Sequence, residues 1–143
     1  QEIAYIAGSA VVLNNMEQET QSLLVAPRQP RQLTAMTISP NGRYVAAAEV
    51  IVASEPILTL VWKHQARVLG WDLSNKALAF ELVGHKFGVA ALAFSPTNSK
   101  LLCSIGNENE QTVNFWDVQQ QQCVATLKVS AKVSIALYHH INI

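Results

Sequence analysis

The stretch GHKFGVAALAFSPTNSKLLCSIGNENEQTVNFWDVQQQQCVATL, residues 84–127, decides the fold. The apolar run at 89–94 ends at the turn formers Ser-Pro-Thr-Asn, and the run at 101–104 ends before Gly106 and Asn107. Alternating apolar residues continue the pattern, namely Val113, Phe115, Val124 and Leu127. The stretch therefore predicts four short β-strands, which bury a sheet face only by stacking on neighbouring sheets.

An earlier part of the chain repeats this pattern. SPNGRYVAAAE at 39–49 and RVLGWDL at 67–73 match SPTNSKLLCSI at 95–105 and TVNFWDV at 112–118. Each unit has a Ser-Pro turn and a Trp-Asp pair, Trp71-Asp72 in the first and Trp116-Asp117 in the second. Three further strands are predicted near the start of the chain, at 3–6, 9–13 and 21–25.

The order Gly84-His85, Ser-Pro turn and Trp116-Asp117 resembles a WD40 repeat, the four-stranded blade of a β-propeller. The resemblance implies an all-β fold of about two and a half four-stranded antiparallel blades, fewer than the roughly four to eight of a closed propeller. We therefore expect the chain to be part of a larger propeller. The predicted units are a partial blade at 1–26, a repeat at 31–83 with an atypical insert at 50–63, a repeat at 84–128, and the truncated start of a further blade at 129–143.

The resemblance also implies structural roles for seven blade residues: Gly84, His85, Glu110, Trp116, Asp117, Trp71 and Asp72. In WD40 repeats the histidine of Gly-His contacts an acidic residue before the third strand, and a buried network links both to the tryptophan. Glu110 takes the position where the family usually has aspartate. In the earlier repeat Gln29 and Gln65 occupy the positions of His85 and Glu110, so no such network is expected there.

No pattern in the chain indicates an enzyme or a cofactor site. His85 has no partner at metal-ligand or nucleophile spacing. Phosphate-binding, nucleophile-elbow and paired CxxC motifs are absent from the sequence. The two cysteines, Cys103 and Cys123, lie in strand-like runs and are expected to be reduced, buried thiols. We predict a non-enzymatic protein without metal or cofactor.

The charge balance argues against nucleic-acid and membrane partners. The formal net charge is +0 and the pI is about 7.1. The longest apolar run, at 57–62, is far shorter than the roughly 18 residues of a membrane span. Four arginines are expected at the solvated surface: Arg28, Arg31, Arg43 and Arg67. The predicted partners are proteins and the predicted location is the cytoplasm.

The insert at 50–63 makes the first full repeat eleven residues longer than the second between the Ser-Pro turn and the Trp-Asp pair. Its sequence is apolar where a polar turn is expected, and exposed apolar residues mark interaction sites or an aggregation hazard. Three interpretations remain open: an interaction loop, an extension of the neighbouring strands, or translated intron sequence. The candidate interaction residues are Ile57, Leu58, Leu60 and Trp62.

The chain more narrowly resembles the N-terminal propeller region of the mitogen-activated protein kinase-binding protein 1 family, which includes a microcephaly-associated centrosomal relative. The matching segments are IAYIAGSAVVLNN, LTAMTISPNGRYVAAAE, LVGHKFGVAALAFSP, TVNFWDV and VATLKVSAKV. The resemblance implies a large non-catalytic scaffold of the c-Jun N-terminal kinase pathway, located at the centrosome or spindle pole, with kinase docking far C-terminal to this region. Two alternatives remain: a cilia- or microtubule-associated structural protein, or a fragment without independent function. Open blade edges also predict self-association.

Overall fold

The computed structural model describes residues 1–51 and 65–129, and in these ranges the chain consists of β-strands joined by turns. The all-β prediction is confirmed. The strands are β1 (Glu2–Ala7), β2 (Ala10–Asn15), β3 (Thr20–Val25), β4 (Leu33–Ile38), β5 (Tyr44–Glu49), β6 (Ala66–Asp72), β7 (Ala77–His85), β8 (Val89–Phe94), β9 (Leu101–Gly106), β10 (Thr112–Asp117) and β11 (Gln122–Lys128).

The strands form three antiparallel sheets, and within each sheet every strand pairs with the next one along the chain. The first sheet is β1–β2–β3, the second is β4–β5–β6–β7 and the third is β8–β9–β10–β11. Strands β4 and β8 lie beside each other, and the Thr34 hydroxyl donates to the Val89 carbonyl at 2.7 Å. We call β4 and β8 the inner strands, and β7 and β11 at the opposite edges the outer strands.

The sheets stack face to face, and the core lies between them. We call the side of a sheet that faces the preceding sheet its back face and the opposite side its front face. The core between the first and second sheets includes Val11, Leu13, Leu24, Val45, Leu69 and Trp71. The core between the second and third sheets includes Val68, Phe80, Leu82, Val89, Leu102 and Trp116. Each tryptophan of a Trp-Asp pair is thus buried against the preceding sheet, which is the stacking that the sequence predicts.

The last hairpin of every sheet closes with the same turn. Its first residue is Asn15, Asp72 or Asp117, whose side-chain oxygen accepts a backbone N–H from the turn. The residue four positions later has a positive φ in all three, at Glu19, Lys76 and Gln121. Asn14-Asn15 therefore stands in the first sheet where the other sheets have Trp-Asp. The equivalence also shows that β1 corresponds to β5 and β9, so the first sheet has no counterpart of an inner strand among the described residues.

The Ser-Pro turns of the second and third sheets differ by one residue. Strand β5 begins five residues after the serine of its turn, and β9 begins six residues after the equivalent serine. The sequence match that aligns residues 39–49 with 95–105 without a gap is therefore off by one residue within β5 and β9. Glu49, the last residue of β5, corresponds to Gly106 rather than to Ile105.

Gly70 shows how closely side chains pack within the second sheet. It pairs with Phe80, and a Cβ at Gly70 would lie 2.0 Å from the Phe80 Cζ. We expect Gly70→Ala to lower the free energy of unfolding by about 1–3 kcal/mol, because the buried ring has to move. Urea unfolding followed by tryptophan fluorescence measures this change. The double variant Gly70→Ala/Phe80→Leu should lose less stability than the sum of the two single variants, and strict additivity would contradict the steric explanation.

Candidate functional site: two buried networks and an exposed rim

His85, at the end of β7, is buried together with two residues of the third sheet. Its Nε2 lies 2.6 Å from the Ser104 hydroxyl in β9. The same hydroxyl oxygen accepts the indole N–H of Trp116 in β10 at 2.8 Å. The network therefore ties the outer strand of the second sheet to two strands of the third.

The hydrogen bonds assign the tautomer of His85. Since the Ser104 oxygen accepts from Trp116, its hydroxyl proton points to His85 Nε2, and the proton of a neutral ring sits on Nδ1. Asn114 is consistent with this, because its amide nitrogen lies 3.4 Å from Nε2 while its carbonyl accepts from Thr126. Nδ1 faces the Glu110 carboxylate at 3.4 Å, an electrostatic contact too long to count as a formed hydrogen bond.

Two glycines make room for this network. A Cβ at Gly84 would lie 2.6 Å from the Trp116 Cη2, and a Cβ at Gly106 would lie 2.9 Å from His85 Nδ1. Any side chain at Gly84 would therefore displace the indole. The structure brings Gly84, His85, Glu110 and Trp116 together. Ser104 and Asn114 were not predicted from the sequence. The alternation of residues along a strand indicates which face of the sheet they share, but not which side chains they contact.

The order Ser104, His85 and Glu110 has the connectivity of a nucleophile, base and carboxylate triad. A nucleophile, however, must reach a substrate, and both Ser104 and His85 are fully enclosed. The Ser104 oxygen is also held by the Trp116 indole N–H. The arrangement can fix the packing of two blades, as fully connected buried networks do, and it offers no approach to a reacting group.

The network makes stability depend on pH. Burial lowers the pKa of His85, and the neighbouring Glu110 carboxylate offsets only part of this effect. Since the folded-state pKa lies below the unfolded value of about 6.5, the neutral ring favours folding above that pH, and stability falls as pH decreases. We expect urea midpoints measured from pH 7.5 to pH 5 to fall more steeply in the wild type than in His85→Gln. The variant retains the other histidines, so equal slopes would contradict this assignment.

A second buried network lies at the corresponding corner of the second sheet. Glu49 has no exposed side-chain surface, and its Oε2 accepts the Arg67 Nε–H at 2.8 Å. Arg67 also donates to the carbonyls of Arg28 and Gln29, at 3.0 and 2.9 Å. Arg31 lies 3.6 Å from the same Glu49 carboxylate. A buried ion cluster therefore replaces the histidine network in this blade.

The cluster corrects one prediction from the sequence. Arg31 and Arg67 were expected at the solvated surface, but their side chains are mostly buried because they neutralise Glu49. Gln29 accepts an Arg67 N–H with its backbone carbonyl, and Gln65 accepts an Arg31 N–H with its backbone carbonyl. The expectation that the histidine-type network is absent here agrees with these contacts.

The first two residues of the insert, Val50 and Ile51, meet the third sheet at an exposed rim. Val50 forms a β-bridge with Gly88, and the Ile51 N–H donates to the Phe87 carbonyl at 3.3 Å. The Phe87 side chain is 49% exposed. We call Ile51, Lys86 and Phe87 the rim. The candidate residues Ile57, Leu58, Leu60 and Trp62 lie outside the described residues.

Comparison with solved structures identifies the architecture. The chain aligns with a chain of a mitotic checkpoint complex with a TM-score of 0.71 at 15% identity, covering 92% of this chain and 36% of that one. It aligns with U3-55K with a TM-score of 0.69 at 19% identity, covering 90% of this chain and 36% of that one. The fold is part of a WD40-type β-propeller. The three sheets are its blades, and the predicted fold class is confirmed.

Sequence comparison finds WD-repeat and ciliary proteins. WD repeat-containing protein 62 of Sus scrofa is 36% identical over 89 residues, which is 62% of this chain and 5% of that protein. Cilia- and flagella-associated protein 52 is 27% identical over 117 residues in Chlamydomonas reinhardtii and 26% over 120 residues in Homo sapiens. The chain spans 17% of each of these two proteins. No protein-family model matches the chain.

The remaining predicted blade residues have local roles in the propeller. The Asp72 carboxylate accepts N–H and O–H bonds from Ser74 and lies 2.9 Å from the Arg43 Nε. These contacts, the Ser74 bonds first, hold the pKa of Asp72 at about 2. Asp117 caps the equivalent turn, and its carboxylate accepts the Gln119 N–H at 2.9 Å.

The two cysteines differ in exposure. Cys103 is buried, and burial raises the pKa of its thiol to about 11. Cys123 is exposed, because it lies in the outer strand β11, whose residues all face solvent. The prediction of a buried thiol is therefore right for Cys103 and wrong for Cys123.

The second and third blades form a groove between them. A shallow groove of about 290 Å³ between the second and third blades is lined by Tyr44, Ala79, Phe80, Val118 and Gln119. Within residues 1–51 and 65–129, no group of three or more acidic, histidine or cysteine side chains could hold a metal ion. The same residues contain no helix long and apolar enough to cross a membrane.

Proposed function

We propose that this chain is a non-catalytic protein-interaction element of a WD-repeat scaffold. The proposal rests on the Ser104, His85 and Glu110 arrangement, whose serine and histidine are fully buried. The Ser104 oxygen already accepts the indole N–H of Trp116, so it is not available to a substrate. The buried polar side chains fix the packing of the blades. We therefore infer that the chain acts through its surface, by presenting residues to which protein partners bind.

The rim is the proposed docking surface. Aromatic side chains are enriched at protein interfaces, and a backbone that is already ordered loses less conformational freedom on binding. Phe87 is an exposed aromatic residue of this kind, and the bridge between Val50 and Gly88 fixes its neighbours. The apolar insert begins at the same place, with Val50 and Ile51.

The favoured setting is a kinase-pathway scaffold of the centrosome or spindle pole, in the cytoplasm. The 36% identity to WD repeat-containing protein 62 supports it, together with the segments that resemble the mitogen-activated protein kinase-binding protein 1 family. The 27% identity to cilia- and flagella-associated protein 52 extends over more of the chain and supports a ciliary or microtubule-associated element as second candidate. In either setting the blade units are proposed at 1–26, 31–83, 84–128 and 129–143.

Localisation and microtubule binding separate these candidates. The fluorescently tagged chain is expected at spindle poles in dividing cells, and the purified chain is expected to stay in the supernatant when microtubules are sedimented. Phe87→Ser should abolish the localisation, whereas Ile38→Ser should not, because Ile38 is similarly exposed at the opposite end of its blade. Equal behaviour of the two variants would remove the rim from the proposal. Co-sedimentation of the chain with microtubules would favour the second candidate.

A further inference from the structure

The Glu110 carboxylate forms its hydrogen bond with the rim and not with the buried histidine. Its Oε2 accepts the backbone N–H of Lys86 at 2.9 Å. The same oxygen lies 3.4 Å from His85 Nδ1, which has no hydrogen-bond partner among the described residues. Backbone N–H groups that donate to a carboxylate make strong, charge-assisted hydrogen bonds. Glu110 therefore fixes the backbone directly before Phe87.

The turn between β9 and β10, which contains Glu110, also holds the residue after Phe87. The Asn107 N–H donates to the Gly88 carbonyl at 3.1 Å, and the Asn107 carbonyl accepts the Glu110 N–H at 3.0 Å. Gly88 has a φ of 153°, a conformation that residues with a side chain rarely adopt. The backbone on both sides of Phe87 is thus attached to one turn, and the Glu110 side chain supplies the first attachment.

The second blade shows which of these attachments the repeat shares. Counted back from the first residues of the inner strands, Pro30 before β4 corresponds to Lys86 before β8. Proline has no backbone N–H, so the bond to Glu110 has no counterpart in the second blade. The backbone bond after Phe87 does have one, since the Val50 N–H donates to the Gln32 carbonyl at 3.0 Å. The Glu110 attachment is therefore an addition at the rim and not a requirement of the repeat.

We propose that Glu110 is a positioning residue of the docking rim, whose carboxylate orders the backbone from which Phe87 meets a protein partner. The inference rests on the docking role proposed above for the rim. An ordered backbone loses less conformational freedom on binding, so the attachment strengthens docking without touching the partner. Glutamate supplies the reach to the Lys86 N–H, because the aspartate that is usual at this position in WD40 repeats is one methylene shorter.

Two variants of Glu110 separate its contact with the rim from its contact with the histidine. Glu110→Asp keeps the negative charge beside His85 but shortens the side chain that reaches Lys86. Glu110→Gln keeps the reach and an acceptor oxygen but removes the charge. If Glu110 positions the rim, the glutamine variant resembles the wild type more closely than the aspartate variant does. The opposite order would assign Glu110 to the buried network and overturn the proposal.

Amide hydrogen exchange followed by NMR on the purified chain tests the attachment without any partner. Glu110→Asp should raise the exchange rate of the Lys86 N–H at least about tenfold, since a bond to a charged acceptor is lost. Glu110→Gln should raise it by less than about tenfold, because a neutral oxygen still accepts the bond. The internal reference is the Val118 N–H, which donates to the Lys100 carbonyl at the opposite end of the third blade. Glu108→Ala is the matched control, as Glu108 is exposed in the same turn.

Localisation of the fluorescently tagged chain tests whether this ordering serves docking. Glu110→Asp should weaken the localisation that Phe87→Ser abolishes, and Glu110→Gln should retain more of it. An unchanged Lys86 exchange rate in Glu110→Asp, or an equal rise at Lys86 and Val118, would overturn the proposal and leave the rim in place. Normal localisation of Glu110→Asp would overturn it as well. An unaffected Phe87→Ser variant would instead overturn the docking rim itself, a failure separate from that of the attachment, which the exchange rates decide without a partner.

Discussion

Glu49→Gln is expected to lower the free energy of unfolding by about 3–5 kcal/mol, the loss typical of removing one partner from a buried ion pair. The Glu49 carboxylate is fully buried and accepts three bonds from Arg67, two from the guanidinium and one from the backbone N–H. An amide at this position leaves the mostly buried guanidinium with only the partly exposed Glu81 carboxylate as counter-ion, and with Arg31 close by. Urea unfolding monitored by tryptophan fluorescence measures the loss.

Glu81 supplies the matched control for this experiment. Its carboxylate also lies near Arg67, at 3.5 Å, but its side chain is 41% exposed. Glu81→Gln should therefore cost at most about 1 kcal/mol, as for other solvent-screened ion pairs. The double variant Glu49→Leu/Arg67→Met should be more stable than Glu49→Gln, since apolar residues of similar size leave no charge unpaired. Equal losses for Glu49→Gln and Glu81→Gln would show that burial does not set the strength of this cluster.

Trp116→Ala is the second variant with a large expected effect, a loss of about 3–5 kcal/mol. The indole fills the core between the second and third blades and lies against Gly84, so its removal leaves a cavity. Trp116→Phe keeps most of that volume but removes the N–H that Ser104 accepts, and about 1–3 kcal/mol of the loss is expected to remain. Chemical denaturation followed by circular dichroism avoids relying on the fluorescence of the residue that is changed.

A double-mutant cycle identifies the source of the Trp116 effect. Ser104→Ala removes the hydroxyl shared by Trp116 and His85. If the hydrogen bond matters, Trp116→Phe/Ser104→Ala should cost less than the sum of the single variants. Full additivity of these two changes would mean that Trp116 contributes by packing alone.

The Glu49 and Trp116 variants test the two buried networks that hold the blades in place. A scaffold presents its docking surface in a constant geometry only if its blades do not shift. The two networks lie at corresponding corners of adjacent blades but consist of different groups. In the third blade Gly106 leaves space for the His85 ring, whereas Glu49 occupies the equivalent position in the second blade and pairs with Arg67. The proposed docking rim adjoins both networks, since the Lys86 N–H donates to Glu110 and Ile51 follows Glu49 by two residues. Loosening either network is therefore expected to weaken partner binding at the rim.

Local sequence patterns determined the class of fold. Alternating apolar residues, Ser-Pro turns and two Trp-Asp pairs predicted antiparallel strands and repeated blades, because strand alternation and turn formation depend on neighbouring residues. The excess of eleven residues in the second blade was also visible, and it agrees with sixteen residues between β5 and β6 against five between β9 and β10. The pair His85 and Trp116 could be named because Gly-His and Trp-Asp mark fixed positions in the repeat.

Only the tertiary structure decided which side chains are buried and which of them meet. Arg67 and Glu49 are separated by the insert in sequence, and nothing local marks their pairing. Asn14-Asn15 was recognised as the counterpart of Trp-Asp only from the shared turn geometry. Leu82 and Leu127 have the same place in their blades, yet one is buried and the other is exposed. The physical reason is that burial of a sheet face depends on the sheet stacked upon it, which the residues of a single strand do not specify.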